Sequence, residues 1–284
     1  TSWDIFHREF FVPETGFYGD MVATGREIIE RAESWKHSLK SFPITPEDEI
    51  EGEDSCRQDK SPREKREKER LGQRMADVIT LAKETGTERR RAYQLFGLGH
   101  STIAVEFGYV TGKQARELLA AQEQWREKEC FQIDGIMPLA LGRRMQAYGY
   151  SREPEKVMQV LRQTGEGFGA VRPGATSEIY PDRGCFVQGW NSFATMWPYF
   201  SVIFGVRPRA GEKELILQPC ICPDMGKISL TGVMIAGRPF SFFLDFEEGR
   251  GRIRVEIPSS EWRVNLVWED EEAPGPEIVA EVCD

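Results

Sequence analysis

Histidine is scarce in this chain. His7, His37 and His100 are far apart in 284 residues, with no carboxylate or cysteine partner nearby in the sequence. Each reads as a structural or solvent-exposed ring, not a metal ligand or a catalytic base. Cys56, Cys130, Cys185, Cys220, Cys222 and Cys283 show no metal-type spacing. Cys220-Ile221-Cys222 has one intervening residue, tighter than a zinc or redox Cys-x-x-Cys pair. Free thiols in a reducing compartment account for them, so a cytoplasmic location is expected. No apolar run approaches the length of a membrane span, and no segment has the layout of a signal peptide. A basic excess is missing too. The net charge is −9, which opposes a nucleic-acid or anionic-membrane partner. The one basic stretch, Ser61 to Arg70, is interleaved with Glu and lacks aromatics, as a solvated helix face would. Phosphate loops, zinc sites and nucleophile elbows are all lacking.

What is present is an apolar share of 40% with 11% aromatic residues, enough for a sizeable core and roughly two domains of about 100–200 residues. The pattern changes near residue 206. Before it, apolar spacing is helical: Ala115, Leu118, Leu119, Gln122 and Trp125 share one face, as do Val157, Val160 and Leu161. Thr111 or Gly112 opens the first of these helices, and Ser151 with Pro154 the second. Further helices are predicted at Met21–Leu39, Ser61–Lys83, Arg91–Phe107, Pro138–Tyr148 and Asn191–Phe204. The proline-punctuated, charge-dense span 41–70 reads as a solvated insertion or flexible loop running into a charged helix start.

After residue 206 the pattern alternates. Phe240, Phe242, Leu244 and Phe246 lie on one strand face, Ile253, Val255 and Ile257 on a second, and Trp262, Val264, Leu266 and Trp268 on a third. Glu247 to Gly251 is the turn between the first two. Helices followed by strands predict a mainly α chain with a β C-terminal module. Residues 1–206 would be helical hairpins, and residues 207–284 an antiparallel β-domain with a loose acidic tail.

Three segments carry the chemistry. They are Phe11 to Asp20, Cys130 to Pro138 and Gly174 to Trp190, each rich in Gly, Pro, aromatics and short acids and each next to a helix. Loops held at one end of a helical scaffold build binding sites. Aromatic rings stack on sugar faces, while Asp, Gln and Asn fork hydrogen bonds to hydroxyl pairs.

The order of these segments resembles the six-hairpin glycosidases, whose fold is an α/α toroid. The clan includes the glycosidase region of glycogen-debranching proteins, processing α-glucosidases and α-L-rhamnosidases. Phe131-Gln-Ile-Asp-Gly-Ile-Met-Pro138 is similar to an aromatic-polar-Asn-Gly-x-x-Trp-Pro turn of debranching-type members, with Asp134 for Asn and Met137 for Trp. Ser177-Glu-Ile-Tyr180 followed by Gly184-Cys-Phe-Val-Gln-Gly-Trp-Asn191 looks like their Glu-aromatic and Gly-Cys-x-x-Gln-x-Trp-Ser block, with Asn191 for Ser. Gly174-Ala-Thr is similar to a Gly-Ala-Thr-Thr run of rhamnosidases. Phe204-Gly-Val-Arg-Pro leading into Leu215-Ile-Leu-Gln-Pro219 resembles the clan's passage into its C-terminal β-domain.

This resemblance, which spans most of residues 90–260, implies an inverting hydrolase of terminal α-linked sugars, present as the later hairpins of the toroid. Glu178 would be the general base. Asp134, Gln132, Tyr180, Gln188 and Trp190 would contact substrate, with Tyr18 and Asp20 at a further loop. Inversion needs a second carboxyl group, a general acid roughly 6.5–9.5 Å from the base. Asp20 is the best acid within the chain, yet it fits substrate orientation better, so the acid is expected on another segment or a partner polypeptide completing the barrel. Thr1 in the first position fits a trimmed chain, a fragment or one subunit. Neither cofactor nor metal is expected. The rival readings are an α-L-rhamnosidase-type hydrolase, a non-catalytic carbohydrate-binding subunit, and a structural scaffold in which Glu178 is a satisfied carboxylate.

Overall fold

The computed structural model of the protein describes residues 2–19, 21–41, 60–94, 100–129, 137–167, 176, 178, 185, 189–247, 250–268 and 276–282. The chain forms two compact units, one of residues 1–101 and 117–132, the other of residues 102–116 and 133–284. The predicted boundary at 206 is therefore not a boundary of packing. Helices and strands on either side of it share one core.

In the first unit, α1 (Ser2–Phe10) leads into a short antiparallel pair, β1 (Phe11–Val12) and β2 (Phe17–Tyr18). Gly16 closes their turn at φ +76°, a conformation glycine adopts without strain. Next come β3 (Met21–Thr24) and α2 (Gly25–Ser41), then α3 (Lys60–Thr85) and β4 (Arg90–Tyr93), with β3 and β4 antiparallel. Two predicted helices are corrected here. Met21–Leu39 starts as a strand, because Thr24 and Glu27 form a reciprocal capping box that sets the helix start at Gly25. The Thr24 amide donates to Glu27 Oε2 at 2.8 Å, and the Glu27 amide donates to Thr24 Oγ1 at 3.3 Å. Arg91–Phe107 likewise starts as strand β4, and its helical part is α4 (His100–Glu106). The insertion predicted over 41–70 also gives way at its end, since α3 begins at Lys60; residues 42–59 lie outside the described ones. Ile28 and Ala32 of α2 meet Met75, Val78, Ile79 and Ala82 of α3 over Tyr93, which gives this unit its core.

α5 (Gly112–Glu129) begins in the second unit. Its predicted face is inward: Ala115, Leu118, Leu119 and Gln122 are all buried. The second unit then contains α6 (Pro138–Tyr150), α7 (Pro154–Gly167) and α8 (Gly189–Pro198), the last continuing into a π-helical turn, Tyr199–Ile203. Pro138 sits in the first turn of α6, where its missing N–H costs nothing. Three residues join α6 to α7, and the two pack side by side, so they form an antiparallel hairpin. α6 packs on its other side against α8. Gly142 lies on Ala194 and Gly149 on Val202, so the two contacts advance together along both chains and the helices run parallel.

β5 (Val206–Arg209) and β6 (Glu214–Leu217) are antiparallel, and β10 (Arg263–Leu266) joins β6 in parallel. A second sheet has the order β11-β9-β8-β7, where β7 is Ile228–Ile235, β8 Arg238–Glu247, β9 Arg250–Ile257 and β11 Glu277–Val282. β7, β8 and β9 are antiparallel, but β11 lies parallel to β9. The β-module is thus mixed and not wholly antiparallel, and the tail predicted to be loose forms strand β11. The alternating strands do face the core as expected. Phe240, Phe242 and Leu244 are buried, Ser241 and Phe246 are half-buried, and Phe242 and Leu244 sit opposite Val255 and Ile253. The third predicted face is shorter: Trp262 is buried edge-on against Phe240, whereas Val264, Leu266 and Trp268 are only half-buried. Phe200 meets Phe242 edge-on and Phe204 packs against it at a tilt, and these rings join the helices to the sheet.

A Cβ on Gly142 would overlap the Ala194 carbonyl oxygen, which belongs to rigid backbone. Gly142→Ala is expected to cost about 2–3 kcal/mol, the upper range for overpacking, although alanine is the better helix former. Urea unfolding checks this; unchanged stability would mean that α6 and α8 are not in backbone contact.

Candidate functional site

Because α6 and α8 run parallel, their N-termini share one end of the second unit. Met137, the residue before α6, and Gly189, the first of α8, are therefore the points at which the segments before each helix attach. Trp190, in the first turn of α8, lies at that end, and Glu178 belongs to the segment that precedes this helix in the sequence. The Glu178 amide donates to the Cys185 carbonyl at 2.8 Å, and the Cys185 amide donates to Glu178 Oε2 at 3.1 Å. This reciprocal pair ties Glu178 to Cys185. The carboxylate is half-buried, and no described residue hydrogen-bonds its other oxygen, Oε1. A carboxylate fixed through one oxygen and open at the other can accept a proton from water or a hydroxyl. Thr176, just before it, is buried, and no described residue bonds its hydroxyl.

Trp190 is 60% exposed. Trp197, one heptad further along α8, is exposed on the same stripe and its ring lies 5.2 Å from that of Phe200. Large exposed rings beside polar groups are suited to stacking on sugar faces. Asp134, Gln132, Tyr180, Gln188 and Asp20 lie outside the described residues. Tyr18 is placed differently from its predicted role. It belongs to the first unit, it is buried, and its hydroxyl pairs with His7 Nδ1 at 2.7 Å within a cluster that includes Phe6 and Phe11. A substrate hydroxyl does not reach it. Burial pushes the Tyr18 hydroxyl up to about 12.

The described residues contain a second concave feature that pattern-reading missed, a cleft of about 850 Å³ in the second unit. Its wall includes Glu106, Phe107, Gly112, Arg116, Arg152 and Arg207. It lies at the C-terminal end of α6, beyond Tyr150. That is about 20 Å from Pro138 at about 1.5 Å per helical residue. Glu106 pairs there with Arg143 at 3.1 Å, and burial raises its carboxyl above the ordinary value despite that partner. A raised carboxyl group in a cleft suits a general acid, and its partner Arg143 lies in the first half of α6. Among the described residues no group of three or more His, Cys, Asp or Glu could hold a metal, and no helix is long and apolar enough to cross a membrane. No protein-family model matches the chain, and no curated protein or solved structure matches it either.

Two titrations follow from these placements. Tyr18 gains a proton preference on folding, so its contribution to stability is fully present below the unfolded value near 10 and is lost as pH rises through about 12. Ultraviolet titration should lose its latest tyrosinate step in Tyr18→Phe; an unchanged curve would place that hydroxyl in solvent. Among the thiols, Cys185 is exposed, whereas Cys220 is buried and pushed up to about 12 by desolvation. Iodoacetamide at neutral pH, mapped by peptide mass, should label Cys185 readily and Cys220 only after unfolding, because the thiolate is the nucleophile. Early labelling of Cys220 would contradict its burial.

Proposed function

We propose that the chain is part of a glycoside hydrolase of the six-hairpin type, acting by inversion on terminal α-linked sugars, with Glu178 as general base. The observation that carries this reading is the parallel packing of α6 and α8 with α7 running back between them in sequence. In an α/α toroid, alternate helices are parallel, and the loops leading into them gather around one mouth. The two segments most similar to glycosidase motifs, 131–138 and 177–191, lead into these two helices at a common end. The β-module that follows α8 directly matches the order of domains in that clan.

In this mechanism the Glu178 carboxylate takes a proton from water as that water attacks the anomeric carbon, on the face opposite the departing oxygen. A separate carboxylic acid protonates the leaving group. That acid belongs on a segment or partner chain that completes the barrel. Trp190 would offer its exposed ring as a platform for the sugar, and Asp134, Gln132, Tyr180, Gln188 and Asp20 would hydrogen-bond or flank it. The cycle needs no redox group, because hydrolysis only exchanges a glycosyl bond for one to water.

A rival assignment makes Glu178 a loop-closing residue only, given its bonds to Cys185. Glu178→Gln separates the two. The amide oxygen still accepts the Cys185 N–H, so the loop and melting temperature should persist, whereas kcat of the complete enzyme should fall about 10²–10⁴-fold with KM little changed. Proton NMR of the wild-type products, recorded before mutarotation, should show the β-anomer released from an α-linked oligosaccharide. Normal kcat in the variant would remove Glu178 from the mechanism, and α-anomer release would exclude inversion.

A further inference from the structure

The cleft at the C-terminal end of α6 concentrates positive charge in a chain whose net charge is −9. Its centre is the turn Tyr150-Ser151-Arg152, which carries one arginine and is bonded by two more. Arg116 Nη1 donates to the Ser151 carbonyl at 3.2 Å, and Arg207 Nη1 donates to the Tyr150 hydroxyl at 3.2 Å, with its plane stacked 5.0 Å from that ring. Arg152 extends from the turn itself and donates to the carbonyls of Gln218 and Pro219 at 3.2 and 3.4 Å. Among the described residues, Arg116 and Arg207 thus bond only to neutral oxygens. Glu106, the one carboxylate in the wall, is paired with Arg143.

Gathering like charges this closely costs free energy that neutral partners do not recover. The turn also holds Arg152 at φ +60°, directly after the cap of α6, where glycine would relieve the strain. A third contribution comes from α5. Its first residue, Gly112, lines the cleft, and the space where a Cβ would sit is open. The first-turn amides of an eighteen-residue helix therefore lie at the wall with their partial positive charge. Phe107 adds an exposed aromatic face to the same wall.

We propose that this cleft binds a phosphomonoester, with Arg116, Arg152 and Arg207 on the phosphoryl oxygens and Phe107 against the organic body. A phosphomonoester carries about −1.5 to −2 charges near neutral pH and three acceptor oxygens, which suits several forked donors. A single carboxylate offers one charge and two oxygens. The site is independent of the glycosidase reading, since its arginines lie at the other end of α6 from Trp190 and none of them belongs to the residues of that reading.

The test is calorimetric titration of the protein with phenyl phosphate and with inorganic phosphate. Both should bind saturably, phenyl phosphate more tightly, and both should weaken as salt is raised. Arg116→Gln and Arg207→Gln, each confirmed as folded by melting, should weaken phenyl phosphate at least about tenfold, the loss expected for a charge-assisted fork. Arg162→Gln, on α7 and paired with Asp224 at 3.7 Å, should change nothing. Where a cleft variant does not fold, wild-type protein treated with phenylglyoxal gives the answer: phosphate should protect Arg116 and Arg207, but not Arg162, in peptide maps. The proposal is overturned by no saturable binding at about 10 mM ligand, weaker than the millimolar end of the affinity scale. It is equally overturned by benzoate matching phenyl phosphate, by unaltered affinity in the folded variants, or by modification that phosphate does not slow.

Discussion

The second unit depends on the contact between α6 and α8 at Gly142 and Gly149. Two parallel helices gain nothing from their dipoles when packed side by side, since like ends face like ends. The arrangement has to be held by packing, and here it is held by close approach of Gly142 to the Ala194 backbone and of Gly149 to the Val202 side chain, where an added Cβ would clash. The π-helical turn after Pro198 then carries Phe200 and Phe204 onto Phe242. A small-residue seam between two helices thereby fixes where the β-module attaches, and the same seam brings the approaches to α6 and α8 to one end. Were α8 antiparallel to α6, the segments before the two helices would be divided between opposite ends.

Strands with a solvent side and a core side were readable. Phe240–Leu244 and Ile253–Ile257 alternate because one sheet face is buried, and period-two alternation reports only that fact. It does not report partners. β10 alternates in the same manner, yet it pairs in parallel with β6, a strand distant in sequence, and β11, which does not alternate, pairs in parallel with β9. Adjacent hairpins are the simplest inference from alternation, and they led to an antiparallel module. In the first unit the failure was one of punctuation. Met21–Thr24 and Arg90–Tyr93 are apolar enough to continue the helical periodicity beside them, and only the Thr24-x-x-Glu27 box marks the true helix start. That signature was present in the sequence and decides the boundary.

The two candidate sites differ in legibility for a related reason. Glu178, Trp190 and their neighbours form a contiguous motif, so a resemblance could find them. The structure adds what a motif cannot carry: one carboxylate oxygen accepts from the Cys185 amide, while no described residue bonds the other. Tyr18 shows the limit of the same reasoning. An aromatic in a Gly- and Pro-rich loop reads as a ligand contact, but the turn at Gly16 folds it inward onto His7. Arg116, Arg152 and Arg207 offered no signal. They are ordinary surface-type residues spread over some ninety positions, and only the turn after α6 brings them together.

The turn also explains why those arginines are compatible with the fold at all. Arg152 has a structural task, since its bonds to Gln218 and Pro219 tie the end of α6 to the loop leaving β6. Gly205 faces the same carbonyl of Gln218 at φ +59°, so this corner joins helix end, β5 and β6 through backbone contacts that tolerate little change. Arg116 and Arg207 are different, because each makes one bond to a neutral oxygen, and a neutral side chain of similar length could make that bond without the repulsion. The corner needs one arginine for its architecture and contains three. The two in excess, beside the first turn of α5, are the part that architecture leaves unexplained and that an anionic ligand would explain.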